Sequence, residues 1–319
     1  MQEAQRKKNV LATLLYFDAI DRSLTATEVW RWCLDAGRIS SSGEEGVSRG
    51  RFSLKDILGD LDELVAKKVL VFSSGMYTIA ASSDRIGTRK RAMKISDEKL
   101  RNLSRWARWL RFVPFVRGII ATGGLASKNA DEKSDWDVLI VAKAGRIWTA
   151  RTAMTAVTHL LGKRRHGEYV RDRWCLNHFI TDKHLKMGLR DVFSAKEYVT
   201  AVPLGEEELF RRFLRSNLWM RTFFPQWELP RARHIRTAEK FAFGERGRSV
   251  LEKLLDWDVL ERWLRSWQKR KIENNPKTKD KESYIVANDE ALIFLPSPRG
   301  PKVFERFKER VFSHAEMTR

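Results

Sequence analysis

Two glycines, a ten-residue loop and two aspartates on one strand constrain this chain more than any other feature. Gly118-Ile119-Ile120-Ala121-Thr122 is a short β-branched run that stops at Gly123-Gly124, and after the loop the chain reads Asp135-Trp136-Asp137-Val138-Leu139-Ile140-Val141. Side chains alternate across a strand, so Asp135 and Asp137 share one face while Trp136, Val138 and Ile140 fill the other. The two acids then stand about 6–7 Å apart along the strand, a spacing from which both reach one divalent ion or bridge two. A strand that closes on Gly-Gly has no Cβ in the way, which lets a phosphate approach backbone N–H groups. Paired carboxylates beside a phosphate cradle are the equipment of two-metal phosphoryl or nucleotidyl transfer.

That order of residues, hydrophobic-Gly-Gly, ten residues, then Asp-hydrophobic-Asp-hydrophobic, resembles the signature of the DNA polymerase β nucleotidyltransferase superfamily. The resemblance covers roughly residues 112–182. It implies that Gly123 and Gly124, with Ser127 and Lys128 after them, hold a nucleoside triphosphate, and that Asp135 and Asp137 bind catalytic Mg2+, with Mn2+ as the alternative ion. It also implies that the helix beginning at Ile147 lies near the triphosphate, where Arg151 would neutralise phosphate charge. A third carboxylate is usual on a later strand. Here that strand is Trp174 to Ile180 and the matching position reads as Asn177, an amide that coordinates Mg2+ weakly and takes no proton. Asp182, just past the strand, is the alternative. In a regular strand His178 would face away from Asn177 and serve packing.

The charge balance points to a partner. Lys and Arg number 61 against 41 Asp and Glu, a net charge of +20, which favours an anionic macromolecule, RNA or DNA. The two cysteines, Cys33 and Cys175, lie far apart and read as buried thiols. No apolar run approaches the ~20 residues of a membrane span and the N-terminus is no signal peptide, so a cytoplasmic protein is expected.

Residues 1–82 read as a winged-helix module: three helices, the second capped by Thr25 with Glu28, the third from Leu54 to Lys67, then a hairpin of Val69–Phe72 and Met76–Ile79. The third helix is as acidic as it is basic, which speaks against sequence-specific readout and leaves Arg49 and Arg51 as phosphate contacts. Residues 83–117 form a basic helical connector, broken by a second helix start at Ser96, and Arg89, Lys90, Arg91 and Lys94 are its candidate nucleic-acid contacts. Residues 118–205 would be the catalytic domain. Residues 206–319 read as a mainly helical C-terminal domain, with extended segments near 284–295. Its tryptophans, Trp219, Trp227, Trp257, Trp263 and Trp267, read first as helix packing and second as surfaces on which bases stack.

The expectation is therefore an α+β protein with a winged-helix module, a polymerase-β-like domain on a mixed sheet and a helical C-terminal part. Its expected activity is Mg2+-dependent, untemplated transfer of NMP from an NTP to a nucleic-acid 3′ hydroxyl. Transfer to a protein or small molecule is the second reading, and a nucleic-acid-binding regulator with weakened catalysis the third.

Overall fold

A computed structural model describes residues 2–39, 51–230 and 242–317. The chain opens with α1 (Gln2–Asp18), α2 (Ala26–Arg31) and α3 (Leu54–Ala66). Both short helices begin in capping boxes. Thr25 Oγ1 accepts from Glu28 N and the Glu28 carboxylate from Thr25 N, and Ser53 and Asp56 repeat the pattern on α3. The hairpin of β1 (Leu70–Ser73) and β2 (Met76–Ile79) turns through Ser74 and Gly75, both at positive φ, the geometry that matches strand twist. Leu24 pairs with Tyr77 and adds a one-residue third strand. Arg49 lies outside the described residues, and Arg51 is spent on an ion pair with Glu228.

The connector is one uninterrupted helix, α4 (Arg85–Leu110), rather than two. Ser96 is buried in its middle and accepts a hydrogen bond from Ala130 N at 3.0 Å, so its hydroxyl holds a loop instead of starting a helix.

The central sheet follows. Its elements are β3 (Val116–Ala121), α5 (Gly123–Ala126), β4 (Trp136–Ala142), α6 (Ile147–Leu160), β5 (Trp174–Thr181), α7 (Val192–Val199) and β6 (Val202–Pro203). Helices α8 (Glu207–Ser216), α9 (Ala242–Leu255) and α10 (Asp258–Glu273) come next, then β7 (Tyr284–Ala287), β8 (Ala291–Leu295) and α11 (Arg299–Met317). The strand order is β6-β3-β4-β5-β8-β7. The β4–β5 pair is parallel, with α6 as its crossover, and the other neighbours are antiparallel. The C-terminal region is thus helical in the main but returns two strands to the sheet.

Alternation along the strands divides the interior into two cores. Trp136, Val138, Ile140 and Phe179 pack with α4, α6 and α10 on one face. Leu139, Val141 and Ile180 belong to the other, which runs without a break through α7, α8 and α11 into the N-terminal helices. Tyr16 of α1 meets Phe307 of α11 edge to face, with ring centroids 5.9 Å apart. Asp18 closes the same junction with Arg85 and Arg310. Among the described residues, no helix is long and apolar enough to cross a membrane.

Candidate functional site

Asp135 immediately precedes β4 and Asp137 stands on it, both half-buried. The glycine turn lies directly against them. Thr122 N donates to Asp137 O at 3.0 Å. Gly123 has φ +68°, and a Cβ built on it would lie 2.5 Å from Asp137 Oδ2. No side chain fits between that backbone and the carboxylate, so glycine is required here on two counts. One donor atom each from Asp135, Asp137 and Cys175 lie within 4.8 Å of one another. Burial pushes the Asp137 carboxyl up to about 7, and the negative charges of Asp135 and Glu197 add to it. Arg165 answers that charge: its Nη1 donates to Asp135 Oδ2 at 2.6 Å and reaches Cys175 Sγ at 3.3 Å.

The third strand position differs from the sequence expectation. Cys175 pairs with Asp137, but His178, not Asn177, pairs with Leu139. Leu176 and Asn177 of β5 therefore oppose the single residue Val138 of β4, which is a β-bulge. The bulge resets the alternation downstream, so His178 shares the face of Leu139 and Val141, the acid face, and Asn177 falls inside the bulge. Burial lowers the His178 pKa to about 4, and its Nε2 is buried without a hydrogen-bond partner. Cys175 occupies the place beside the acids. Burial and the two aspartates raise its pKa, which keeps it a neutral thiol. Asp182 is no substitute carboxylate, because its Oδ1 accepts from Ala144 N at the far end of β4.

Of the expected phosphate contacts, Gly123 lies against the acid pair, Gly124 next to it faces the backbone of Asn129, and the others are committed elsewhere. Ser127 is buried, its hydroxyl donates to Gly123 O at 2.9 Å, and it accepts from the buried Lys196 ammonium at 3.3 Å. Lys128 is ion-paired with Asp97 of α4. Arg151 lies across the sheet: α6 packs on the Trp136 face, where Arg151 bonds Gln268 of α10 and sits 4.5 Å from the Phe294 ring centroid. Burial there lowers its pKa to about 10.

Arg89 is likewise not a surface contact. It is 1 % exposed and donates to Lys128 O and to Glu28, tying the N-terminal helices to the loop after the glycine turn. Asn129 Nδ2 donates to Ile20 O at 3.0 Å across the same junction. Lys90, Arg91 and Lys94 are exposed, and Arg101 and Arg105 continue that face of α4. The outer face of α3 carries Lys55, Asp56 and Asp62, a mixture that suits phosphate poorly.

Glu197, His178 and Arg299 lie on the side of the acids without any signature in the sequence. Arg299, at the start of α11, opposes the rise in the Asp137 pKa. The basic run Lys163–His166 and the cysteine at 175 were visible, but only the fold brings them to Asp135. The donor set fits a divalent cation: two adjacent carboxylates repel each other, one is held partly protonated, and a guanidinium is drawn onto them. Compared with protein-family models, curated proteins and solved structures, the chain finds no match.

Proposed function

We propose that the chain is a nucleotidyltransferase that moves NMP from an NTP to a nucleic-acid hydroxyl. The observation that carries this reading is the contact between the Gly123 backbone and the Asp137 carboxylate. It joins a side-chain-free turn to a pair of candidate cation ligands in one place. On this reading residues 2–82 are a winged-helix-like module and the β3–β5 region is a polymerase-β-like core.

Asp135 and Asp137 would hold Mg2+ or Mn2+. When bound, the ions lower the pKa of an attacking hydroxyl and neutralise charge on the leaving pyrophosphate. The chain's own contribution is placement. Gly123 and Gly124 leave their backbone open to the triphosphate, and Thr122 N fixes that turn to β4. Arg165, ion-paired with Asp135 and partly exposed, would be within reach of a phosphate beside the acids. The acceptor oxygen bonds the α-phosphorus, the bond to the β-phosphate oxygen breaks, pyrophosphate leaves, and the hydroxyl proton goes to solvent. The exposed basic face of α4 and the net charge of +20 support a polyanionic acceptor.

The test is incubation with each labelled NTP, Mg2+ or Mn2+, and single- and double-stranded RNA and DNA oligonucleotides. Growth of an oligonucleotide with release of pyrophosphate, lost in Asp137→Asn, is the expected result. Absence of transfer to every acceptor, or label on the protein alone, rejects it.

A further inference from the structure

Helix α10 carries two tryptophans on its outside. Its inner side is locked to α6: Gln268 Nε2 donates to Trp148 O and Thr152 Oγ1, both at 3.0 Å, and Glu261 accepts from Trp148 N and Thr149 N, both at 2.9 Å. Leu264 is buried beside them. With that face fixed, the helix cannot roll to bury Trp263 and Trp267, which are 62 % and 49 % exposed. The two rings are one helical turn apart and nearly parallel, with 3° between planes and 6.4 Å between centroids. That separation is in the range of an offset-stacked pair, and the exposure of both rings leaves aromatic surface open to a further planar group. Packing accounts for Trp219 and Trp227, which are buried, but not for this pair.

The surroundings are cationic. Arg262 adjoins Trp263, and Arg270 and Lys271 lie three and four residues beyond Trp267, the spacing that places side chains on one face. Lys271 Nζ is 5.6 Å from the Trp267 ring centroid. Among the described residues none of these three forms an ion pair, whereas the acids at the start of α10 are engaged: Asp258 by Arg146, and Glu261 by the α6 backbone. Parallel aromatic faces bordered by unpaired cations suit a ligand that is planar and anionic at once, repeated along a chain.

We propose that the outer face of α10 binds single-stranded nucleic acid, with bases stacked on Trp263 and Trp267 and phosphates beside Arg262, Arg270 and Lys271. Duplex hides its base faces and gains only the charge. As the place where an acceptor strand is held, this surface rests on the proposed transfer to nucleic acid. As a binding site it stands without it, since α10 lies across the sheet from the acid pair.

The experiment uses the full chain in EDTA without NTP, which makes it independent of catalysis. Fluorescein-labelled dT20 and U20, and duplexes of the same length, are titrated at several salt concentrations. Tighter binding of the single strands is expected, with quenching of tryptophan emission. The double variant Trp263→Ala/Trp267→Ala should weaken that binding by about tenfold or more, leave the salt slope unchanged, and melt like wild type because both rings are exposed. Trp263→Phe/Trp267→Phe should restore part of the affinity. Arg262→Ala/Arg270→Ala/Lys271→Ala should flatten the salt slope. Wild-type strand affinity in the double alanine variant overturns the proposal. So does tryptophan-dependent binding to vesicles of mixed neutral and anionic phospholipid with no strand preference, or a tryptophan-dependent dimer in sedimentation.

Discussion

The two faces of the central sheet solve opposite problems. On the Trp136 face, indoles, aliphatic side chains and α6 make a core at whose edge the half-buried Arg151 is bonded to Gln268 and lies over Phe294. On the other face, Asp135, Asp137, Glu197, His178 and Cys175 are gathered where charge is hard to keep, and Asp137 and His178 both shift toward their neutral forms. Crowded carboxylates in a half-buried place, with a shifted pKa, are a pattern found at functional sites. The comparison separates a face of packed apolar side chains from one that gathers ionisable groups.

The largest expected effect breaks the acid face. Asp135→Asn or Asp137→Asn should fold normally and lose transfer by about 10³-fold or more, the consequence of removing several kcal/mol of charge stabilisation. Near-normal turnover in either would remove the cation assignment. Gly123→Ala comes next, since its methyl meets Asp137 Oδ2 and its φ is strained. A stability loss of about 1–3 kcal/mol, measured by denaturant unfolding, should accompany lost transfer. Gly124→Ala, whose Cβ would clear Asn129 O by 3.4 Å at ordinary φ, should be milder.

The pH dependence sharpens the contrast. Asp137 has a folded pKa of about 7, above its ordinary value of 3.8. Between those values the folded protein keeps a proton that the unfolded chain has lost, so its contribution falls as pH rises through that window and is constant above it. Melting temperatures of Asp137→Asn should decline less than wild type from pH 4 to 7, whereas divalent-cation affinity of the wild type should climb over the same range. Parallel curves for the two proteins would contradict the burial of charge at Asp137. The smallest effect concerns Arg165, which competes with a cation for Asp135. Arg165→Ala should tighten Mn2+ binding about two- to fivefold in the nucleotide-free protein, in line with a partly exposed ion pair, read by calorimetry. Arg151→Met, on the other face, should leave that affinity unchanged; a change there would mean that the two faces are coupled.

Much of this was legible because it is local. Alternation on β4 assigned Trp136 to core and the aspartates to the opposite face, and the capping residues at Thr25 placed α2. The glycine pair was legible because only a missing Cβ admits that turn. Other features depend on contacts between distant segments. Arg89 has the same local setting as Lys90 and Arg91, and it is the approach of Glu28 and Lys128 that buries it. Trp263 and Trp267 follow the same pattern as the buried Trp219 and Trp227. What exposes them is the hold of Gln268 and Glu261 on α6, which fixes the rotation of α10.

The sequence by itself determined where two acids and a side-chain-free turn lie along the chain, since strand parity and the steric freedom of glycine act within a few residues. Tertiary structure decided what surrounds them. One extra residue in β5 inverts the facing of every later side chain on that strand, so His178 replaces Asn177 on the acid face. A parallel neighbour with its helical crossover brings Cys175 and Arg165 to Asp135, and α7 adds Glu197. Registry between strands and the docking of helices arise from the balance of many distant contacts, and no single stretch of sequence contains that balance.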